Sequence, residues 1–377
     1  GSGRVGGDGV MAKLGEVCLL KAGKFVSAND ISPEYNKGLY PCFGGNGIRG
    51  YVADYTHDGE FPLIGRQGAL CGNINLASGK FHATEHAVVV QPKIEMNVHW
   101  LYYALNAMNL GQYATGAAQP GLAVSKLETL SIEIPNISEQ NKIAQTLYKV
   151  EQLVNFRKQQ LAKLDELVKA RFVEMFGDAK LNPNNLPCCS LSEYIVFLTS
   201  GSRGWSQYFT DSGEYFITIK NVKNCKITLQ DVQCVTPPDN AEAKRTRVQE
   251  NDLLISITAD LGRTGIVTKE IAEHGAYINQ HLTCIRLKQD KLNPLYVAYY
   301  MESDAGKEQF IAKNQSAVKA GLNFNAINSL KLMVPPLSLQ NDFATFVERV
   351  SQQKQTIQQS LDKLELMKKA LMQEYFG

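Results

Sequence analysis

The stretch NISEQNKIAQTLYKVEQLVNFRKQQLAKLDELVKARFVEMFG, residues 136–177, decides the fold because the chain carries it twice. The second copy is PLSLQNDFATFVERVSQQKQTIQQSLDKLELMKKALMQEYFG, residues 336–377. The offset is 200 residues without a gap, and the match begins upstream, at Gly121-Leu122 against Gly321-Leu322. Between 121–177 and 321–377, 19 of 57 aligned positions are identical. An ungapped repeat of this length indicates two copies of one structural unit.

Each copy has the pattern of one long helix. Ser138 and Ser338 are predicted N-caps, and Gly177 and Gly377 are predicted to end the helices in the left-handed conformation. A helix from 138 to 176 would be roughly 58 Å long. Apolar residues recur every three or four positions, which is the heptad seam of two packed helices. The seam comprises Ile143, Leu147, Val150, Val154, Leu161, Leu164, Val168 and Met175 in the first copy, and Phe343, Val347, Val350, Ile357, Leu361, Leu364, Leu371 and Tyr375 in the second.

Such a narrow seam needs a partner, and the simplest partner is the other copy. Four cationic residues interrupt it: Arg157, Arg171, Lys354 and Lys368. Two interpretations stay open. The charges lie at the rim with their aliphatic stems along the seam, or they fix the register of the helix pair.

Length and composition favour a multidomain protein of the cytosol. A chain of 377 residues with 44% hydrophobic residues is expected to form two or more domains. Its net charge of +2 means that any basic binding surface must be local. No apolar run approaches the length of a membrane span, and no signal peptide is recognised. The eight cysteines form no CxxC pair, so we expect reduced, mostly buried thiols and a cytoplasmic location.

The repeat divides the chain into domains of an α+β class. We read residues 1–10 as a cloning remnant and Met11 as the natural start. We predict a first domain at 11–135, a central helix at 136–177, a second domain at 178–335 and a C-terminal helix at 336–377. The second domain follows the order of the first: NDLLISITADLGRTGIV (251–267) corresponds to FPLIGRQGALCGNI (61–74), NQHLTCIRL (279–287) to EHAVVV (85–90), and PLYVAYYMES (294–303) to HWLYYALNA (99–107).

The sequence lacks the motifs of several enzyme classes. It has neither the Asn/Asp-Pro-Pro-Phe/Tyr motif of amino-methyltransferases nor a GxxxxGK[ST] phosphate loop. Pro238-Asp239 followed by Glu242-x-Lys244 is spaced too closely for the carboxylates of a metal nuclease. The six histidines show no ligand spacing. We therefore expect no catalysis, no metal and no cofactor in this chain.

Polar and basic residues lie in glycine-containing loops of both domains. Arg, Asn and Gln can form paired hydrogen bonds with base edges, and Lys and Arg can hold phosphates. Any one of them could equally be an ordinary solvated loop residue, and Trp205 is expected to be packed in a core. Two related readers on a rigid rod would suit a split target on duplex DNA, with half-sites about 34 Å apart. The candidate DNA-binding residues are Asn46, Arg49, Arg66, Gln67, Gln119, Arg203, Lys220, Asn221, Arg245, Arg247, Arg263, Gln280 and Lys319.

Taken together, residues 11–377 resemble the specificity subunit of Type I restriction–modification systems. Several stretches carry the resemblance: YPCFGGNGIRGYVADY (40–55), LISITADLGRTGIV (254–267), the helix entries SIEIPNISEQNKIA (131–144) and KLMVPPLSLQNDFA (331–344), and the helix ends LAKLDELVKARFVEMFG (161–177) and LDKLELMKKALMQEYFG (361–377). The resemblance implies two related target-recognition domains separated by two long antiparallel coiled-coil helices, with pseudo-two-fold symmetry.

The resemblance also implies a function. Each domain would read one half of a bipartite double-stranded DNA target. The helices would set the spacer and dock two modification subunits, which carry S-adenosylmethionine and methylate adenine N6. Motor-nuclease restriction subunits that use ATP and Mg can join such a complex. The specificity subunit is not itself catalytic, and no membrane is involved.

Three alternatives remain open at this point. A Type IIB-like or phage-exclusion methyltransferase system would use a similar subunit, and its neighbouring genes would distinguish it. If the chain were a coiled-coil scaffold that binds only protein, replacing the loop arginines would leave its DNA affinity unchanged. A lone enzyme would methylate or cleave DNA as a purified chain.

Overall fold

The computed structural model describes residues 9–116, 120–314 and 321–377. The fold is α+β, as expected. The chain forms two compact units, which are described separately. Unit 1 comprises the chain up to Gln159 together with Gln358–Gly377, and unit 2 comprises Gln160–Ile357. Each unit thus combines one of the predicted domains with parts of both long helices.

Unit 1 is built mainly of strands before the first long helix begins. Val10, which the sequence analysis assigned to the cloning remnant, lies in its first strand. The strands are β1 (Val10–Lys13), β2 (Cys18–Ala22), β3 (Tyr40–Gly44), β4 (Gly47–Val52), β5 (His57–Asp58), β6 (Phe61–Gly65), β7 (Ile74–Ala77), β8 (Lys80–Ala83), β9 (Ala87–Pro92) and β10 (Ser131–Ile134). The helices are α1 (Leu14–Val17), α2 (Val98–Ala107), α3 (Val124–Glu128) and α4 (Ile137–Phe176), with 3-10 turns at Ala28–Asp30 and Leu110–Tyr113.

Two four-stranded sheets and one strand pair form domain 1. The first sheet has the order β2-β9-β6-β7 and is antiparallel throughout. The second has the order β4-β3-β8-β5, in which β3 runs parallel to β8. Strand β1 pairs with β10, so the start of the domain is fastened beside the strand that leads into α4.

Unit 2 contains the second domain, and its elements follow a similar order. The strands are β11 (Cys188–Ser190), β12 (Ile195–Ser200), β13 (Phe209–Thr210), β14 (Glu214–Ile217), β15 (Val222–Lys223), β16 (Lys226–Ile227), β17 (Gln233–Val235), β18 (Leu253–Ser256), β19 (Thr264–Ile266), β20 (Ala276–Ile278), β21 (Leu282–Leu287) and β22 (Lys331–Met333). The helices are α5 (Ala241–Thr246), α6 (Lys269–His274), α7 (Pro294–Glu302), α8 (Asp304–Ala312), α9 (Phe324–Asn328) and α10 (Leu337–Phe376). Short 3-10 turns cover Leu191–Tyr194, Trp205–Tyr208 and Ile219–Asn221.

The topology of domain 2 repeats that of domain 1. The sheet β12-β21-β18-β19 has the strand order of β2-β9-β6-β7, and β14 runs parallel to β20 as β3 does to β8. Strand β11 pairs with β22 as β1 does with β10. The predicted pair of related domains is therefore confirmed. Domain 2 differs by insertions, which include the β15-β16 hairpin and helices α5, α6 and α8.

The two long helices begin one residue earlier than predicted, and the predicted N-caps are wrong. Helix α4 starts at Ile137, and the side chain of Asn136 accepts a hydrogen bond from the backbone N–H of Glu139 at 3.0 Å. Asn136 is therefore the N-cap, and Ser138 lies inside the first turn. In α10 the residue before the helix is Pro336, so Ser338 is likewise inside the helix. Gly177 has the expected left-handed φ of 82°.

Aromatic side chains anchor the helices in the core of each unit. In unit 2, Phe176 packs edge-on against Tyr296 at 4.7 Å between ring centroids and against Phe343 at 5.5 Å. In unit 1, Phe376 lies against Trp100 at 6.4 Å. Trp205 is buried and stacks on Phe216, as the sequence predicted. The end of one helix therefore packs against the domain helix beside the start of the other, which is an antiparallel pairing within each unit.

Three of the four seam cations bond across the helix pair. In unit 1, Lys368 pairs with Glu151 at 2.7 Å, and Arg157 donates to the Ser360 hydroxyl at 3.2 Å. In unit 2, Lys354 pairs with Asp165. Arg171 instead pairs with Glu174 on its own helix. Each of these three contacts joins α4 to α10. They favour the interpretation that the cations at these positions fix the register of the helix pair.

A repeated glutamine fastens each long helix to its own domain. Gln140 accepts a hydrogen bond from the backbone N–H of Asn97, which is the N-cap of α2, and donates to the Pro135 carbonyl. Gln340 makes the same contacts with Asn293, the N-cap of α7, and Pro335. Both glutamines are buried. The repeated Gln-Asn dipeptide therefore has a structural explanation in each copy.

Every helix within the described ranges is too short or too polar to cross a membrane. All eight cysteines carry free thiols. Four of them are buried, which is fewer than the sequence reading expected.

Candidate nucleic-acid interface

Five loop segments of domain 1 meet at one edge, which we call loop edge 1. It consists of residues 23–25, 44–46, 66–73, 84–86 and 120–122. Parallel β3 and β8 both end there, so the turns that follow them lie side by side. Backbone hydrogen bonds join the segments: Gly23 N–H to Ala87 O, Thr84 N–H to Phe43 O, Arg66 N–H to His86 O, Gly68 N–H to Pro120 O and Leu122 N–H to Arg66 O.

Domain 2 builds an equivalent edge, loop edge 2, from residues 201–203, 218–220, 257–263, 279–281 and 321–322. The matching hydrogen bonds are Gly201 N–H to Leu282 O, Asn279 N–H to Ile217 O, Ile257 N–H to His281 O and Leu322 N–H to Ile257 O. The repeated Gly121-Leu122 and Gly321-Leu322 thus close the same loop in each domain. The two loop edges therefore have the same backbone arrangement but different amino-acid sequences.

Glycine is required where the first segment of each edge crosses the strand ends. A Cβ on Gly23 would lie 2.0 Å from the Ala83 carbonyl oxygen. A Cβ on Gly201 would lie 2.1 Å from the carbonyl oxygens of Ile278 and Asn279. Because these atoms belong to backbone, no side-chain movement relieves the clash. The two glycines therefore allow the residues after them to reach the edge.

Loop edge 1 contains three of the predicted residues. Asn46 and Gln67 are exposed, and Asn46 accepts a hydrogen bond from the amide of Asn73 at 2.9 Å. Arg66 is half-buried, and its Nε is buried without a hydrogen-bond partner in the described part of the chain. Arg49 is exposed on neighbouring β4, and its side chain lies beside Gly44.

Loop edge 2 brings together four of the predicted residues and one from α5. Arg203 and Lys220 are exposed, and Lys220 occupies the position that Asn46 has in domain 1. Arg263 pairs with Asp260, and Gln280 lies beside the ring of His281. Arg245 reaches the edge from α5 and donates to the Ser200 carbonyl at 3.0 Å and the Ser202 hydroxyl at 3.2 Å.

Two predicted residues lie away from the exposed surface of loop edge 2. Asn221 is 3% exposed, and its amide is used by Thr218 and Thr228, so it holds the turn after β14 rather than a surface. Arg247 pairs with Glu214 at the opposite end of β14 from Lys220. Gln119 and Lys319 lie outside the described residues.

Sequence reasoning missed several residues of the edges. Lys24 follows Gly23 and is exposed, and Asn73 holds Asn46. His86 was missed as well; it occupies the same position of the repeat as His281, and the carbonyl of each accepts a backbone hydrogen bond from the opposite loop. A signal existed: LLKAGKF and FLTSGSR align on their glycines, which would have paired residues 23–25 with 201–203.

Most charged side chains at the two loop edges are basic, and their ion pairs are weak. The Arg263–Asp260 pair is partly exposed, with side chains 33% and 59% accessible. Exposed ion pairs contribute little to stability, so an arginine held in this way can exchange its carboxylate for a phosphate at small cost. Among the described residues no group of three or more His, Cys, Asp or Glu side chains could hold a metal ion. The edges thus offer cations, amides and hydroxyls for recognition.

A family comparison decides the assignment. The model of the type I restriction modification DNA specificity domain matches residues 8–166 and again residues 204–366. The chain belongs to this family. The two matches account for most of the chain, and this DNA specificity family therefore contributes both domains.

Individual relatives agree with the family. The EcoprrI specificity subunit of a type I restriction enzyme from Escherichia coli is 51% identical over 149 residues, which is 39% of this chain and 37% of that relative. The match therefore spans well under half of the curated relative's length.

Solved structures show the same fold. The S subunit of a type I restriction–modification system from M. genitalium superposes with a TM-score of 0.67 at 16% identity, covering 99% of this chain and 97% of that one. A chain from a study of complex assembly in the type I R-M system gives a TM-score of 0.56 at 16% identity, covering 100% and 99%. At these identities the likeness is one of fold.

Proposed function

We propose that this chain is the DNA-reading subunit of a type I restriction–modification complex. Loop edge 1 would read one half of a bipartite duplex target and loop edge 2 the other. The observation that carries this proposal is the pair of equivalent backbone edges that present different side chains. Membership of the DNA specificity family supports it.

The chemistry of the edges suits sequence reading. Exposed Gln67 and Asn46 can pair with adenine, and Arg203 can pair with guanine or hold a phosphate. Because the two edges share their scaffold but differ in side chains, the two half-targets should differ in sequence. The pseudo-two-fold placement of the domains remains a prediction.

In this proposal the chain itself carries out no catalytic step. Two modification subunits would dock on the α4–α10 pair and supply S-adenosylmethionine and adenine methylation. Restriction subunits that use ATP and Mg would join the same cytoplasmic complex. The Lys368–Glu151 and Lys354–Asp165 pairs support a fixed helix pair, which such a spacer needs.

Selection from a random duplex pool tests the proposal. The full chain should enrich two short, unlike half-targets separated by a constant spacer. Replacing Arg66 or Arg263 with Ala should weaken binding, and each lost phosphate contact should lower the slope of log affinity against log salt by about one.

Lys291→Ala is the matched control, because Lys291 is an exposed cation beyond the far end of β21 from the edge. It should bind as the unaltered chain does. Unchanged DNA affinity in both arginine variants, or enrichment of one contiguous site, would favour the protein-binding scaffold instead.

A further inference from the structure

Two loops of loop edge 1 each expose a large apolar side chain. Phe25 is 76% exposed and Leu70 is 54% exposed. Ile48, on the hairpin that ends at Asn46, is also 54% exposed. Single exposed apolar residues are common, but several on one functional edge indicate a binding surface.

The repeat supplies an internal comparison for these positions. The equivalent bonds of Gly23 and Gly201 align Phe25 with Arg203. The loop that carries Leu70 is one residue longer than its counterpart, because Gly72 N–H bonds to Gly65 O whereas Gly262 N–H bonds to Ser256 O, so Leu70 has no unique equivalent in domain 2. Domain 2 therefore carries a cation, Arg203, at the position where domain 1 carries Phe25.

Folding does not explain Phe25 and Leu70. Neither belongs to a hydrophobic core cluster of the described chain, and the loops around them are held by backbone hydrogen bonds. Both side chains would lose water-exposed area on binding a partner. On a surface that meets the major groove, the apolar partner available for sequence reading is the C5-methyl group of thymine.

We propose that domain 1 reads thymine methyl groups with Phe25 and Leu70. Its half of the target would then contain at least one A·T pair whose methyl group contacts these side chains, whereas domain 2 would rely on hydrogen bonds from Arg203 and its neighbours. This inference rests on the proposed function and adds the kind of base that one edge selects.

Uracil substitution isolates the methyl group. The split target is first selected with the full chain, and each thymine in it is then replaced singly by uracil, which keeps the base pair and its hydrogen-bonding edge. At one or more positions within one half-target, binding should weaken roughly fourfold, as expected for losing one buried methyl-sized group.

The same duplexes are then measured with a chain carrying Phe25→Ser and Leu70→Ser. In that variant the uracil effect should disappear, because the partner of the methyl group is gone. Leu19→Ser is the matched control: Leu19 is 47% exposed at the opposite end of β2, and this variant should keep the full uracil effect.

The outcomes separate cleanly. If no split target is selected, the proposed function itself fails. If a split target is selected but no uracil position weakens binding, or if the double serine variant keeps the uracil effect, methyl reading by domain 1 is overturned. The uracil series uses the unaltered protein, so its result holds even if the double variant does not fold.

Discussion

At the scale of single residues, Asp252 places a charge in the interior of domain 2. Its side chain has no exposed surface. Arg286 donates two hydrogen bonds to it at 2.8 Å each, and the backbone N–H of Gln249 donates a third at 2.7 Å. Arg286 also lies over the ring of Phe197. A buried carboxylate is tolerated because all its partners are supplied.

Removing that charge should destabilise domain 2. Asp252→Asn leaves a partly buried guanidinium without its anion, and we expect a loss of about 3 kcal/mol in the free energy of unfolding. Urea unfolding followed by the fluorescence of Trp205, with Trp100 replaced by Phe, would report on this domain.

Asp239→Asn serves as the control. Asp239 and its partner Lys244 are 89% and 75% exposed, so their pair should contribute no more than about 0.5 kcal/mol. Equal unfolding curves for the two variants would show that the Asp252–Arg286 pair does not stabilise the domain.

At the scale of elements, the entry of each long helix is the best-defined joint in the chain. Gln140 and Gln340 each connect three segments: the strand that ends at a proline, the start of the long helix and the N-cap of a domain helix. Since the backbone groups they bond are part-buried, removing the side chain leaves polar groups unsatisfied.

We therefore expect Gln140→Ala and Gln340→Ala each to lower the free energy of unfolding by about 2 kcal/mol, from two lost hydrogen bonds. Unfolding in urea measures the loss. Gln159→Ala, an exposed position on α4, should change it by less than about 0.5 kcal/mol. If the glutamine stabilises the joint in only one copy, the free energy of unfolding will fall in only one of the two variants.

Elements were predicted better than the site. The period of the apolar residues and Gly177 gave α4 to within one residue, because both report local backbone geometry. The cap failed because Asn136 and Ser138 are both good capping residues and only the structure shows which one lies before the first turn. Asn221 failed because a buried turn residue and an exposed one look alike in sequence.

The site was only partly predictable because it is assembled from five segments far apart in the chain. Arg66 and Gln67 were recognised as polar residues in a glycine-rich loop. Phe25 is apolar, and nothing in the sequence indicated that it lies on the same surface. The repeat aligns His86 with His281, but the backbone bonds that both residues make depend on tertiary contacts, which the alignment does not show.

At the scale of the whole molecule, α4 and α10 each run through both compact units. Each helix has 40 residues, and the boundary between units falls after Gln159 in α4 and after Ile357 in α10. These two positions are therefore natural places to change the length of both helices without disturbing either domain.

Inserting four residues after Gln159 and four after Ile357 should add about 6 Å to the pair. If the helices set the spacer, the selected target should keep both half-sequences and gain about two base pairs between them. Duplex selection with the lengthened chain measures this. An unchanged spacer would contradict the role of the helices as a spacer.

The way the loop edges are fastened has a consequence for how such proteins change. Most of the bonds that hold the loops come from main-chain groups, including the carbonyls of His86 and His281, whereas the exposed side chains of Gln67 and Arg203 bond to no other residue in the described ranges. Substitution at those positions should therefore alter the preferred DNA while leaving the melting temperature where it was. Proteins of this kind can therefore acquire new DNA targets by point mutation, without a second mutation to restore the stability of the fold.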